Sequence, residues 1–243
     1  MNVIAVIPAR MGSSRFPGKP LAPLLGRPML QWVYEGTRAC ARLSDVIVAT
    51  CDEPIAVAAR GFGASVVMTS PSHERASDRV AEAAAGLQAD IVVMVQGDEP
   101  MVSAAMIEAA IDPFNDPAVI CTNLSSPIET EDDYVDPNTI KVAVSLSGDA
   151  VYFSRSPIPA TTSRSFRAGL AHRQVCVIGF RATFLQEYAR LRPTPLEQEE
   201  SIDMLRILEH GLRVRVIPVA NTSYPVDTPA DLQRVERLIG YRG

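Results

Sequence analysis

An α/β fold built on a mostly parallel sheet is what this sequence predicts, and three observations carry the prediction. Strand-like and helix-like segments alternate from the N-terminus onward, the pattern of βαβ units with right-handed crossovers. The short apolar run Val3 to Ile7 ends at Pro8 and opens into a loop of arginines, glycines and serines. A second unbroken apolar run, Ile91 to Val95, leads into Gln96, Gly97, Asp98, Glu99 and Pro100. Such a run marks a central strand buried on both faces, and ligands of open α/β sheets gather at the carboxyl ends of such strands.

The elements follow in order. Val3 to Ile7 is short enough for a strand, and Pro8, which cannot donate to a ladder, is expected to end it. The loop that follows carries Arg10, Gly12, Ser13, Ser14, Arg15, Gly18 and Lys19, a set suited to phosphate. It is neither a Walker loop nor a dinucleotide fingerprint. Pro28 opens a helix with Leu30, Val33 and Tyr34 on one face. DVIVAT reads as a second strand, IAVAARGFGA as a helix closing on glycine, and SVVMT as a third strand. Next comes a helix with Ser77 as N-cap and Asp78 in its first turn.

Asp98 then falls just past the central strand. Beyond Pro127 the chain turns acidic and rich in turn residues; IKVAVS alternates like a strand, and GDAVYFSRSPIP runs from a turn into another. ATTSRSFRAGLAHR reads as an exposed loop reaching a partner subunit or lying over the site. QVCVIGFRATFLQEYARL reads as strand then helix, and EESIDMLRILEHGL as one amphipathic helix with Ile202, Leu205 and Leu208 inward. Glu197, Glu199, Glu200 and Asp203 crowd its start. VRVIPV is a last strand, and Asp227 stands just before a proline-opened helix.

Composition narrows the function. A chain of 243 residues, 47% hydrophobic and 21% charged, closes one sizeable core. A net charge of −5 argues against a broad nucleic-acid surface. The absence of a leader-like segment and of any run near the roughly 18 apolar residues of a membrane span makes a cytoplasmic, membrane-free protein the expectation. Cys40, Cys51, Cys121 and Cys176 lack paired spacing and read as free thiols. His73, His172 and His210 show no ligand spacing. Of 23 basic residues only Lys19 and Lys141 are lysine, which singles both out.

A cationic loop first, a carboxylate at the end of a central strand second and an isolated carboxylate near the C-terminus third suit nucleotidyl transfer with magnesium. That ion takes hard oxygen ligands and usually one or two protein carboxylates, here Asp98 and Asp227. The leaving pyrophosphate needs cations, here Arg10 and Lys19.

The segments IPARMGSSRFPGKPL, MVQGDEP, DPNTIKV, VYFSRSPIP, PTPLEQEE and VDTPADLQRV, in that order and across nearly the whole chain, resemble the cytidylyltransferases that make CMP-KDO from CTP and 3-deoxy-manno-octulosonate (KDO). The resemblance implies a mixed, mostly parallel sheet of the nucleotidyltransferase (Rossmann-like) fold, a homodimer, and CTP with a small acidic acceptor as partners. It implies one domain over 1–243, with 1–125 and 205–243 mainly for nucleotide and metal and 126–204 mainly for acceptor and dimer contacts. Lys19, Asp98 and Arg10 are then catalytic. Arg10, Ser14, Lys19, Ser77 and Gln96 bind CTP, Gln96, Arg155, Gln174, Glu200 and Asp203 face the acceptor, and Asp98 with Asp227 binds Mg2+.

Two stretches depart from the family pattern. Arg75, Ala76 and Ser77 stand where a Ser-Gly-Thr run is usual, and Gln174, Cys176 and Ile178 stand where a histidine, a glycine and a tyrosine are usual. The resemblance as a whole makes KDO or a related 2-keto sugar acid the expected acceptor. A buried hydroxyl left unpaired costs roughly 1 to 3 kcal/mol, so the lost donors, with the positive charge that Arg75 adds, make a small phosphonate such as phosphonoformate the alternative. A non-catalytic nucleotide-binding protein is the alternative of another class, opposed by the retained Lys19, Asp98 and Asp227.

Overall fold

The computed structural model describes residues 1–13, 15–162, 165–220 and 223–240. In chain order the elements are β1 (Val3–Ala9), β2 (Pro23–Leu24), β3 (Arg27–Pro28), α1 (Met29–Arg38), β4 (Asp45–Thr50), α2 (Glu53–Gly61), β5 (Ser65–Met68), α3 (Ala76–Ala84), β6 (Ile91–Val95) and α4 (Ala104–Ile111). There follow β7 (Cys121–Pro127), α5 (Glu131–Val135), β8 (Lys141–Val144), β9 (Ala150–Ser154), β10 (His172–Arg181), α6 (Ala182–Tyr188), α7 (Pro195–Glu200), α8 (Asp203–Glu209), β11 (Arg215–Pro218) and α9 (Pro229–Gly240).

The main sheet runs β11-β7-β10-β6-β1-β4-β5. β1 is parallel to β4 and β6, β4 to β5, and β11 to β7, whereas β10 lies antiparallel between β6 and β7. The sheet is therefore mixed. β8 pairs with the start of β10, and β9 pairs with β8, as an antiparallel arm off the main path. From β1 the chain steps outward through β4 and β5, then returns to place β6 on β1's other side. The loops after β1 and β6 consequently leave a shared crevice at the switch in strand order.

Alternation along β1 divides its side chains between the two faces: Val3, Ala5, Ile7 and Ala9 join one apolar cluster, Ile4 and Val6 the other. The uninterrupted apolar run thus reflects burial on both sides. A third, smaller cluster of Leu24, Met29, Val226 and Val235 docks α9 beside the loop that follows β1. This cluster brings the C-terminal Asp227 to the basic loop after β1.

Several local expectations change. β1 does not stop at Pro8 but runs to Ala9, because pairing with β6 ends at Val6 and the missing N–H of Pro8 leaves no gap in that ladder. Ser77 is not the N-cap of α3, which begins at Ala76 with Arg75 before it; Ser77 is fully buried inside the first turn. The single helix expected over EESIDMLRILEHGL is two, broken where Ser201 adopts the left-handed conformation (φ 54°, ψ 49°). α4, β7 and α5 have no counterpart in the sequence reading. Lys141 is fully buried, its ammonium donating to the carbonyls of Asp136 (2.6 Å) and Arg155 (3.1 Å), so it staples two turns together. Burial lowers its pKa.

Candidate active site

The crevice between the β1 and β6 loops is a cavity of about 360 Å³, walled by both halves of the chain. Its floor is set by backbone. Gln96 N–H donates to the carbonyl of Cys176 on β10 (3.0 Å) and Glu99 N–H to that of Gln96 (3.1 Å), turning the chain sharply after β6. Gly97 sits inside this turn, where a Cβ would lie 2.9 Å from the Pro8 carbonyl oxygen. Gly97→Ala is therefore expected to push the β6 turn off β1, at about 1 to 3 kcal/mol of overpacking. A fall of several degrees in thermal midpoint together with lost turnover checks this; a wild-type melting curve and rate would refute it.

Lys19 lies at the centre. Its ammonium donates to Asp98 Oδ2 (2.8 Å) and to Asp227 Oδ1 (3.1 Å). Burial alone would lower its pKa, but the two carboxylates outweigh burial and raise it. Arg15 reaches the same Asp227 oxygen at 3.1 Å and also donates to Asn138. The three expected charges, Lys19, Asp98 and Asp227, therefore meet although they lie far apart in sequence. Two carboxylates close enough to share one ammonium can also share a hard divalent cation, and both are oxygen donors of the kind magnesium prefers. Among the described residues no group of three or more His, Cys, Asp or Glu could hold a metal, so such an ion would complete its shell with phosphate oxygens and water.

The other expected residues divide. Arg10 is exposed at the cavity wall with no hydrogen bond among the described residues, and Gln96 lines the same wall. Ser14 lies outside the described residues. The Ser77 N–H and hydroxyl both donate to Asp203 Oδ2, at 3.0 and 2.8 Å. Ser77 is thus one step behind the cavity, and Asp203 lines it. Asp203's pKa is raised, chiefly by burial.

Arg155 lines the cavity, with its guanidinium bonded to the carbonyls of Glu200 (2.5 Å), Pro137 (2.9 Å) and Ser201 (3.4 Å). Glu200 itself stands behind the wall, accepting from Ser154 Oγ and the Arg155 N–H. Gln174 reaches the cavity and donates to Asn123 Oδ1 (2.6 Å). Cys176 lines it too, whereas Ile178 is 2% exposed in the core.

Arg75 does not bring a free positive charge. Its guanidinium donates to Ser201 Oγ (2.6 Å) and the Glu197 carbonyl (3.2 Å), and lies 3.7 Å from the Glu197 carboxylate. Arg173, read from sequence as part of an exposed loop, is 5% exposed and lines the cavity. Its buried position follows from β10 starting earlier than the alternation alone suggests. No described residue of 160–171 lines the cavity. Asn138, unassigned from sequence, and Arg15 of the basic loop close its rim; no local pattern marked their meeting, because Arg15 finds Asn138 and Asp227 at 123 and 212 residues away along the chain.

A cytidylyltransferase family model matches residues 4–215. A relative from Geobacter sulfurreducens named 3-deoxy-manno-octulosonate cytidylyltransferase is 47% identical, covering 97% of this chain and 98% of its own. A relative of the same name from Acaryochloris marina is 41% identical, covering 98% of each chain. A solved structure of CMP:2-keto-3-deoxy-manno-octonic acid synthetase complexed with CTP superposes with a TM-score of 0.91 at 38% identity over the whole of both chains. A Leptospira borgpetersenii cytidylyltransferase, at 19% identity and a TM-score of 0.65 over 99% of this chain and 87% of its own, shares the fold. With its basic loop, its paired carboxylates and its sheet order all in the matching span or folded onto it, the chain belongs to the cytidylyltransferase family.

Proposed function

We propose that this protein transfers CMP from CTP to 3-deoxy-manno-octulosonate, with magnesium held by Asp98 and Asp227 and pyrophosphate released. The observation that carries the reading is the meeting of Lys19, Asp98 and Asp227 at one point of the cleft. The names of the full-length relatives support the nucleotide and the acceptor alike.

The reaction requires an acceptor oxygen, the anomeric hydroxyl of KDO, to bond to the α-phosphorus while the bond to the bridging oxygen of pyrophosphate breaks. Bound magnesium supplies charge neutralisation on the triphosphate. Arg10, Arg15 and Lys19 surround the path of the leaving group with N–H donors, and donors that strengthen their contacts as charge moves onto pyrophosphate speed the step rather than binding alone. On the opposite wall Arg155 is braced by three carbonyls, so its orientation toward an acidic acceptor is set before binding. Gln174 offers an amide to the sugar hydroxyls. Residues 1–125 and 205–243 serve mainly the nucleotide and metal, and 126–204 the acceptor. The proposal includes a cytoplasmic homodimer; the exposed Val144, Leu146 and Val151 on the β8–β9 arm support an apolar contact there. No helix of the described residues is long and apolar enough to cross a membrane.

The test is pyrophosphate release with CTP and a panel of KDO, sialic acid and phosphonoformate. KDO is expected to react with kcat/KM on the order of 10⁴ M⁻¹s⁻¹ or more, and phosphonoformate poorly, since Glu197 already neutralises Arg75. Efficient phosphonoformate turnover without KDO turnover would overturn the acceptor assignment, and no turnover with any acid would overturn the enzymatic reading.

A further inference from the structure

Immediately after Asp98 the chain buries a second carboxylate. Glu99 is 1% exposed and does not line the cavity, so it touches neither nucleotide nor acceptor. One of its oxygens accepts from the Ser223 hydroxyl and the other from the Cys176 N–H at 3.3 Å. Ser223 is itself 2% exposed, and its carbonyl accepts from Arg173, whose Nε donates to Ser126 Oγ at 3.0 Å. Three residues further on, Val226 N–H donates to the Asp98 carbonyl at 2.9 Å, and Asp227 comes next. The strap 223–227 therefore hangs on the β6 turn at two points: the Glu99 side chain at its start and the Asp98 carbonyl just before Asp227.

We infer that Glu99 is a positioning residue that sets the spacing between Asp98 and Asp227, acting through Ser223. A buried carboxylate flanked by the charge of Asp98 is a costly anchor compared with an apolar residue. What it supplies is direction, because it fixes a hydroxyl and a backbone N–H from two segments that are otherwise distant in sequence. Without it the strap keeps its apolar footing at Val226 and Val235, but the register of Asp227 against Asp98 loosens. Loss of about 1 Å in such a constellation is enough for a roughly hundredfold loss of rate. The inference rests on the assignment of Asp98 and Asp227 as the metal pair.

The experiment compares wild type with Ser223→Ala and Glu99→Gln. Three quantities are read: thermal midpoint, the Mg2+ concentration giving half-maximal turnover at saturating CTP, and Mn2+ affinity for the enzyme with a non-hydrolysable CTP analogue, followed by electron paramagnetic resonance. Ser223→Ala is expected to stay folded, to need at least about tenfold more Mg2+, to bind Mn2+ correspondingly more weakly, and to leave the acceptor KM within about twofold of wild type. Glu99→Gln, which keeps the shape and one acceptor oxygen, is expected to shift in the same direction by less. Folded variants with wild-type Mg2+ and Mn2+ behaviour would overturn the positioning role, as would a rate loss that merely tracks the unfolded fraction. A wild type whose turnover is indifferent to Mg2+ would instead overturn the metal pair itself, a separate and recognisable failure.

Discussion

Asp98→Ala and Asp227→Ala are each expected to lower turnover by roughly a thousandfold or more while the protein remains folded. The two side chains are about one-fifth exposed and pair only with Lys19 and Arg15 among the described residues. Pairs of that kind contribute about 1 kcal/mol or less each to stability, so the melting curve should move by no more than a few degrees. The proposed reaction depends on them far more heavily. With one carboxylate gone, the magnesium of the proposed reaction would lose half of its protein ligands, and Lys19 loses one of the two groups that orient it. Pyrophosphate release beside a thermal melt separates the two effects. A folded variant with near wild-type rate at saturating magnesium would show that the pair is structural.

The largest stability effect is expected away from the chemistry, at Arg206→Ala. Arg206 is 3% exposed and makes paired bonds to Glu197 (2.8 and 2.7 Å) and to Asp78 (2.8 and 3.2 Å), with its guanidinium 4.5 Å from the Tyr188 ring centre. Burial works against the cation, but the two carboxylates raise its pKa well above the ordinary arginine value. Removing it leaves Glu197, which is fully buried, without its principal partner. Breaking one side of a buried pair costs about 3 to 5 kcal/mol, which in a chain of this size lowers the melting temperature by roughly 10 °C. Arg206→Met, which fills the space without restoring the charge, should stay closer to Arg206→Ala than to wild type. If both melt like wild type, the cluster contributes specificity rather than stability.

The strands whose ends open onto the cavity were legible in the sequence because burial on two faces leaves an uninterrupted apolar run. Val3 to Ile7 and Ile91 to Val95 both announced themselves in this way, together with the basic loop and Asp98 that follow them. What periodicity could not reveal was how distant segments meet. Nothing local distinguishes Arg15 from other loop arginines until Asp227 and Asn138 are seen beside it, and the burial of Arg173 depends on where β10 begins. Ser77 carried the local signature of a helix cap, yet tertiary contact with Asp203 drew it into the first turn. The same holds for Ser201: a left-handed serine between α7 and α8 leaves no mark in an amphipathic pattern that runs smoothly across it. Arg75 shows the converse error, since counting its charge from sequence ignored the buried Glu197 that offsets it.

β10 has a consequence for how this protein can change. Gln174, Cys176, Ile178 and Phe180 share one side of the strand by alternation, but the first two face the cleft and the last two are core. The frontier between recognition and packing thus falls within two residues on a single strand, close to the shift in pairing between Val175 and Ile178. On the proposed assignment, a change at 176 alters what the acceptor meets without disturbing the sheet, a change at 174 also releases the buried Asn123 that Gln174 holds, and a polar group at 178 counts against stability. On that reading a change of acceptor preference needs few positions, and the loops after β1 and β6 can stay as they are.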